Sequence, residues 1–229
     1  MKLAIRIQHH PKRQTYLKIL LSLLDKTDNL EIIEDNISTW SGCQKAIKSM
    51  KPDDTHILVL QDDILVCKDF IKTVENIIEL NKFPVTFFSP KEIIRRAVMF
   101  NTNWVAISVW FMAQAYLMPR EMALDFVEWS NRHCKGAKLV DDERLAMYFY
   151  YHNQKVFATS PCLVEHLGWY ETTIADRMNF HYKKIAGRVS QYFIGVDESG
   201  LSIDWKGSVD RPLIDEDRPS SLFGENYLP

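Results

Sequence analysis

Two adjacent carboxylates, Asp62 and Asp63, follow the apolar run Ile57-Leu58-Val59-Leu60 with only Gln61 between. Paired acids at the end of a buried strand are costly to desolvate unless a cation or strong donors compensate them. A hard divalent cation with oxygen ligands meets that demand and leaves coordination positions for diphosphate oxygens. The same pair also has a plainer use, since either acid can cap a helix starting near Lys68 with no metal involved. A second acidic group, Asp141-Asp142-Glu143, stands about 80 residues further on, and Pro161-Cys162-Leu163-Val164-Glu165-His166-Leu167-Gly168 carries a single histidine. A carboxylate within hydrogen-bond reach of a hydroxyl can take its proton. Acids at a helix start also simply complement the helix dipole.

These residues need a frame. Leu3-Ala4-Ile5-Arg6-Ile7, Leu30-Glu31-Ile32-Ile33 and His56-Ile57-Leu58-Val59-Leu60 are short, largely β-branched runs bounded by polar residues, and they read as buried strands. Tyr16, Ile19, Leu20, Leu23 and Leu24 between the first two follow helical spacing, as do Cys43, Ala46, Ile47 and Met50 between the next two. Strand and helix in alternation predict right-handed crossovers and a mostly parallel sheet. Further on, Phe70, Val74, Ile77 and Ile78 predict a helix, and Val85–Phe88 and Trp104–Trp110 predict strands. Pro119 opens a helix to about His133, the acids at 141–143 open another through Tyr151, 156–164 is extended, and about 173–192 is helical. In an open sheet of this kind ligands sit at the carboxyl ends of the strands, where Asp62 and Asp63 fall.

Composition sets the outer bounds. With 229 residues, 46% hydrophobic and 25% charged, the chain has the make-up of a globular domain with a proper core. No run reaches the roughly 18 apolar residues of a membrane span, and the first residues do not read as a signal peptide, so the cytoplasm is the expected compartment. Cys43, Cys67, Cys134 and Cys162 are scattered, which predicts reduced thiols and no zinc site. The formal charge of −2 gives no general pull toward nucleic acid. Residues 197–229 hold eight acids and three bases among Gly, Pro and Ser, and are expected to be a tail or lid on a catalytic body of residues 1–196.

Gln61-Asp62-Asp63 between strand and helix resembles the acidic motif of GT-A-fold glycosyltransferases. The resemblance, carried by motif order over about residues 1–195, implies an α/β, Rossmann-like single domain with a mostly parallel mixed sheet flanked by helices. It implies an enzyme that moves a sugar from a nucleotide-sugar donor with Mn²⁺ or Mg²⁺. By position, Asp63 is then a metal ligand, Asp62 contacts the nucleotide ribose or supports the metal ligand from behind, and the late His166 completes the metal shell. Gln61 stands where many relatives have an acid, so that position does not bind metal directly. Gln8, His10 and Arg13 (or Lys12) fall in the loop that wraps the nucleotide, where arginine can pair with phosphate; the plain alternative is a solvated helix start. Asp35 is placed to hold the uracil or ribose, or is a routine loop acid. Asp142, with Asp141 second, takes the place of the acceptor-activating base. Arg177 joins His181, Lys183, Lys184 and Arg188 as cations for the diphosphate or for a phosphate backbone, or as a solvated face.

Within that family the chain is similar to small phage-encoded enzymes that glycosylate hydroxymethylated cytosines in duplex DNA, some of them arabinosyltransferases. A UDP-sugar, hexose or pentose, is the donor this implies. The competing readings are a transferase building bacterial lipopolysaccharide or capsule, and a nucleotide-sugar or carbohydrate-binding module without turnover.

Overall fold

In the computed structural model, which describes residues 1–108, 113–167 and 189–215, a central ladder holds the chain together. Strand β1 (Leu3–His9) lies between β2 (Leu30–Glu34) and β3 (His56–Gln61), parallel to both. Helix α1 (Gln14–Leu23) crosses from β1 to β2, and α2 (Thr39–Lys48) from β2 to β3. Beyond β3 the sheet becomes mixed. Its order is β10-β6-β8-β5-β7-β3-β1-β2, with β5 (Val85–Thr86), β6 (Trp104–Ile107), β7 (Ala115–Pro119), β8 (Val156–Thr159) and β10 (Leu213–Asp215). A separate two-stranded ladder joins β4 (Ile64–Val66) to β9 (Val164–His166).

Alternation along the strands divides the core. Ile5, Ile7, Leu58 and Leu60 point to the face covered by α1 and α3 (Phe70–Ile78). Ala4, Ile57, Val59, Tyr116 and Met118 point to the face covered by α2, α5 (Arg120–His133) and α6 (Asp141–Tyr151). Helix α4 (Ile93–Met99) packs on β6 and β8 through Ile94 and Ala97. All four cysteines are free and buried, and among the described residues no helix is long and apolar enough to cross a membrane.

Three expectations change. The face of α1 is rotated by one position: Leu17 and Leu20 are buried while Ile19 is 36% exposed, because Leu17, Leu20 and Leu24 also fit helical spacing. Strand β7, unmarked in the sequence analysis, lies antiparallel between β3 and β5. The third concerns residues 197–229, expected as a tail or lid. Within them Trp205 and Val209 are buried in the main core, Gly200 lies against Thr73 of α3, and β10 is an edge strand of the sheet. The loop-like composition is real, for this stretch has a short 3-10 turn at Gly200–Ser202 and mostly irregular backbone, but its aromatic and aliphatic side chains fill the core. Residues 216–229 lie outside the described residues, as do 109–112 and 168–188.

Candidate active site

The site begins where β3 ends. Asp62 and Asp63 form the turn between β3 and β4, so neither caps a helix: the next one, α3, has Asp69 at its N-cap. The plain capping role is thereby removed. Strand β4 turns back against β9, and their antiparallel register sets Ile64 opposite His166. That pairing carries His166 to Asp63, with Nε2 3.2 Å from Oδ2, and the Leu167 N–H donates to the Asp63 carbonyl at 2.7 Å. Both side chains are buried, Asp63 fully.

The second wall comes from β1. Its register with β3 sets Gln8 beside Gln61, which brings the following residues to Asp62. His9 Nδ1 lies 2.8 Å from Asp62 Oδ2, and the His10 N–H donates to the same oxygen at 2.9 Å. Pro11–Arg13 then form a 3-10 turn, steadied by the His10 ring accepting from the Lys12 N–H. Arg13 folds back over both acids, its Nη1 at 3.1 Å from Asp62 Oδ1 and 2.5 Å from Asp63 Oδ2. A cation at a helix N-terminus opposes the dipole of α1, and the two carboxylates hold it there nonetheless. Burial pushes the Asp63 carboxyl up, but the hydrogen bond and charge of His166, with Arg13, outweigh it and leave the group below the usual carboxylate range.

Of the expected site residues, Arg13, Asp62, Asp63 and His166 meet directly. Asp62 is 1% exposed and its oxygens accept from His9, His10 and Arg13, so it anchors the β1–α1 loop and supports its neighbour Asp63 from behind. Asp35 is likewise engaged within its own loop. Its Oδ1 accepts from the Ile37 and Ser38 N–H groups and its Oδ2 from the Ser41 hydroxyl and Lys45. Burial raises this carboxyl, but Lys45, Ser41 and the two amides bring it down to about 2, the signature of a loop organiser. Gln8 is partly buried, with its side chain beside Cys43 of α2. Arg177, with the basic residues around it, lies outside the described residues.

Asp141 and Asp142 start α6, which packs on α2 and α5. The Asp141 N–H donates to Thr39 Oγ1, at 3.5 Å, in the first turn of α2. Because α2 starts beyond the carboxyl end of β2, the second acid pair shares a sheet edge with the first, on the opposite face from α1. Burial raises Asp141, whose Oδ2 has no partner. Burial, then the charge of Asp141, push Asp142 up to about 7. Among the described residues the two pairs share no hydrogen bond or ion pair.

Two participants escaped the sequence reading. His9 was hidden because only the β1–β3 register reveals its partner. Glu165 accepts from the His166 N–H, the Ser190 N–H and the Ser190 hydroxyl, clipping residue 190 beside the site. For a divalent cation the donor set is suitable but small. Asp63 Oδ1 is buried without a hydrogen-bond partner. The 3.2 Å separation of Oδ2 and Nε2 is close to the roughly 3 Å edge between two ligands at right angles on an octahedral cation. Among the described residues no three His, Cys, Asp or Glu side chains group for metal binding, so the other positions fall to ligand oxygens and water.

No family model matches the sequence, and no curated protein matches it. Among solved structures, the chain is similar to a glycosyltransferase involved in glycosylation of the major capsid of PBCV-1, with 13% identity, TM-score 0.45, and coverage of 77% of this chain and 97% of that one. The 4-diphosphocytidyl-2C-methyl-D-erythritol synthase of Anaerococcus prevotii gives 9% identity, TM-score 0.45 and coverage of 71% and 90%. The catalytic domain of Drosophila β1,4-galactosyltransferase 7, in complex with xylobiose, gives 10%, 0.42, and 81% and 79%. Scores below 0.5 do not fix a common ancestry or activity, and the functional reading rests on the side chains.

Proposed function

We propose that this chain is a GT-A-type glycosyltransferase that moves a sugar from a nucleotide-sugar donor to an acceptor hydroxyl. The observation that carries the reading is the contact of Asp63 with His166, made by the short β4–β9 ladder directly beyond the carboxyl end of β3. Such a ladder brings a carboxylate and an imidazole from 103 positions apart onto one point while leaving an oxygen of Asp63 unpartnered. Asp63 and His166 would hold Mn²⁺ or Mg²⁺, which when bound supplies the positive charge that a departing diphosphate needs.

The chain's own residues do the rest. Arg13 and the N-terminal amides of α1 face the edge where a diphosphate would lie, and a guanidinium grips phosphate by two parallel hydrogen bonds. His9, through Asp62, fixes the loop that carries Arg13. Asp142 is the base. As the acceptor oxygen bonds to the anomeric carbon, the carbon–oxygen bond to the diphosphate breaks and the hydroxyl proton passes to the Asp142 carboxylate. A carboxyl raised to about 7 suits that step, and burial first, then the charge of Asp141, hold it there. The donor class is a UDP-sugar, pentoses such as arabinose included, and the favoured acceptor is hydroxymethylated cytosine in duplex DNA; a bacterial surface glycan is the competing acceptor.

The test is a panel of UDP-hexoses and UDP-pentoses incubated with the protein and Mn²⁺. Slow UDP release is expected, abolished by EDTA and by Asp63→Asn. Tight nucleotide-sugar binding with no release for any donor would identify a binding module instead. With an active donor in hand, transfer to hydroxymethylated duplex DNA that weakens steeply with salt selects the DNA acceptor over a neutral glycan.

A further inference from the structure

Arg13 Nη1 and His166 Nε2 both engage one atom, Asp63 Oδ2, at 2.5 and 3.2 Å. A cation shared between that oxygen and the imidazole would stand beside the guanidinium, positive against positive, in a place where Arg13 is only 14% exposed and water screens little. The two cannot both hold that one oxygen, Asp63 Oδ2. The same Nη1 has a second berth 3.1 Å away on Asp62 Oδ1. Asp62 is itself immobilised through its other oxygen by His9 and the His10 N–H, so it stays in place when the guanidinium moves.

We propose that Arg13 is an exchangeable counter-ion: it neutralises Asp63 until a divalent cation arrives, then withdraws onto Asp62. This deepens the cation-site reading above and rests on it. The exchange explains why a cation is retained at the unfavourable end of α1 and why one guanidinium nitrogen spans two neighbouring acids. It also sets the order of events. The guanidinium is released from Asp63 only when the ion is there, and it then stands, still charged, next to the position a diphosphate would take. Arg13 is thus a positioning residue for the cation as well as a ligand for the donor, and it weakens cation binding in the absence of donor.

The experiment is titration of the full chain with MnCl₂ alone, with no nucleotide, following free Mn²⁺ by electron paramagnetic resonance. Arg13→Gln and Arg13→Met, the second keeping most of the apolar stem, are expected to bind Mn²⁺ about tenfold or more tightly than wild type, since the competing charge is gone. Arg13→Lys retains a competing charge and is expected to stay near wild type. Asp63→Asn should abolish binding in every background. Equal or weaker binding by both neutral variants overturns the exchange, and so does tightening by Arg13→Lys as large as theirs. If folded wild type and both neutral variants bind no Mn²⁺ at all, the cation site falls and the exchange with it, an outcome distinct from Mn²⁺ binding that ignores Arg13.

Discussion

Strand β1 carries two buried ionic clusters, and they are built on opposite principles. Arg6, 1% exposed, is closed on every side: its Nε donates to Ser49 Oγ, its Nη1 to the carbonyls of Ile5 and Asn29, and its Nη2 to the Ser49 carbonyl. Asp54 beneath it accepts from Asn29 Nδ2 and the Lys51 N–H and lies 3.9 Å from the guanidinium. Three residues along, the cluster of His9, Asp62, Asp63, Arg13 and His166 has as much charge but leaves Asp63 Oδ1 without a partner, with Asp141 Oδ2 in the same condition at that sheet edge. A buried polar atom left unpaired costs about 1–3 kcal/mol. At a sheet edge such atoms are open to water, an ion or a ligand. The first cluster holds β1, β2 and α2 in register; the second leaves an acceptor oxygen for the cation proposed above.

The contrast is broken most directly by removing one member of each. Arg6→Ala leaves Asp54 buried with its strongest counter-charge gone and several carbonyls unpaired, and should destabilise by about 3–5 kcal/mol in urea unfolding. The molecules still folded should keep their donor-hydrolysis rate. Asp63→Asn should do the reverse, lowering Mn²⁺-dependent hydrolysis by about 10²–10³-fold while the unfolding midpoint moves by less than about 1 kcal/mol. Equal stability losses in the two variants would end the distinction.

Much of this was readable from residue order. The runs around Ile5 and Leu58 have no choice but to be buried strands, and a strand that stops at Asp62-Asp63 announces its edge. His166 stood out only through the motif order of the family resemblance, since a lone histidine after an extended segment says little by itself. What could not be read is what depends on pairing. The three-residue strands β4 and β9 are too short to show a period, yet their register makes the Asp63–His166 contact. Strand β7 hides because Ala115–Met118 prolongs an apolar, aromatic run with no turn signal before it. Asp35 and Asp63 are both acids after strands, and only the neighbours, Ser41 and Lys45 for one, His166 for the other, tell the loop organiser from the candidate ligand. Trp205 and Val209 fill the core from irregular backbone, where no periodicity exists to betray burial.

The acids at the head of α6 sharpen the comparison through pH. Asp142 titrates near 7 in the folded chain, against the ordinary value of 3.8. A raised carboxyl means the folded state holds a proton that the unfolded state has lost, so stability falls as pH rises from about 4 to about 7. Asp142→Asn removes that fall. The variant should gain on the order of 1–2 kcal/mol over wild type at pH 8 and nothing at pH 4, by urea unfolding at both values. Its transferase activity should be low throughout, whereas wild-type activity should climb through pH 7 as the base is freed. A wild-type rate flat from pH 5 to 9 removes Asp142 as the base.

The smallest effect tests the closed cluster from its edge. Ser49 Oγ accepts from Arg6 Nε at 2.6 Å and donates to the Ala46 carbonyl at 2.9 Å, which ties the C-terminal end of α2 to β1. Ser49→Ala deletes both bonds, but Glu31 stands 3.3 Å from Arg6 Nε and can take over the charged donor. Glu31 is half exposed, so this substitute is screened and recovers only part of the loss. A net destabilisation of about 1 kcal/mol is expected, with hydrolysis unchanged. Adding Glu31→Gln to Ser49→Ala should then cost more than the sum of the two single changes, because each covers for the other at one donor. Simple additivity would mean that Arg6 is held by its carbonyl partners alone, and that the charge on β1 contributes nothing to the register it sits in.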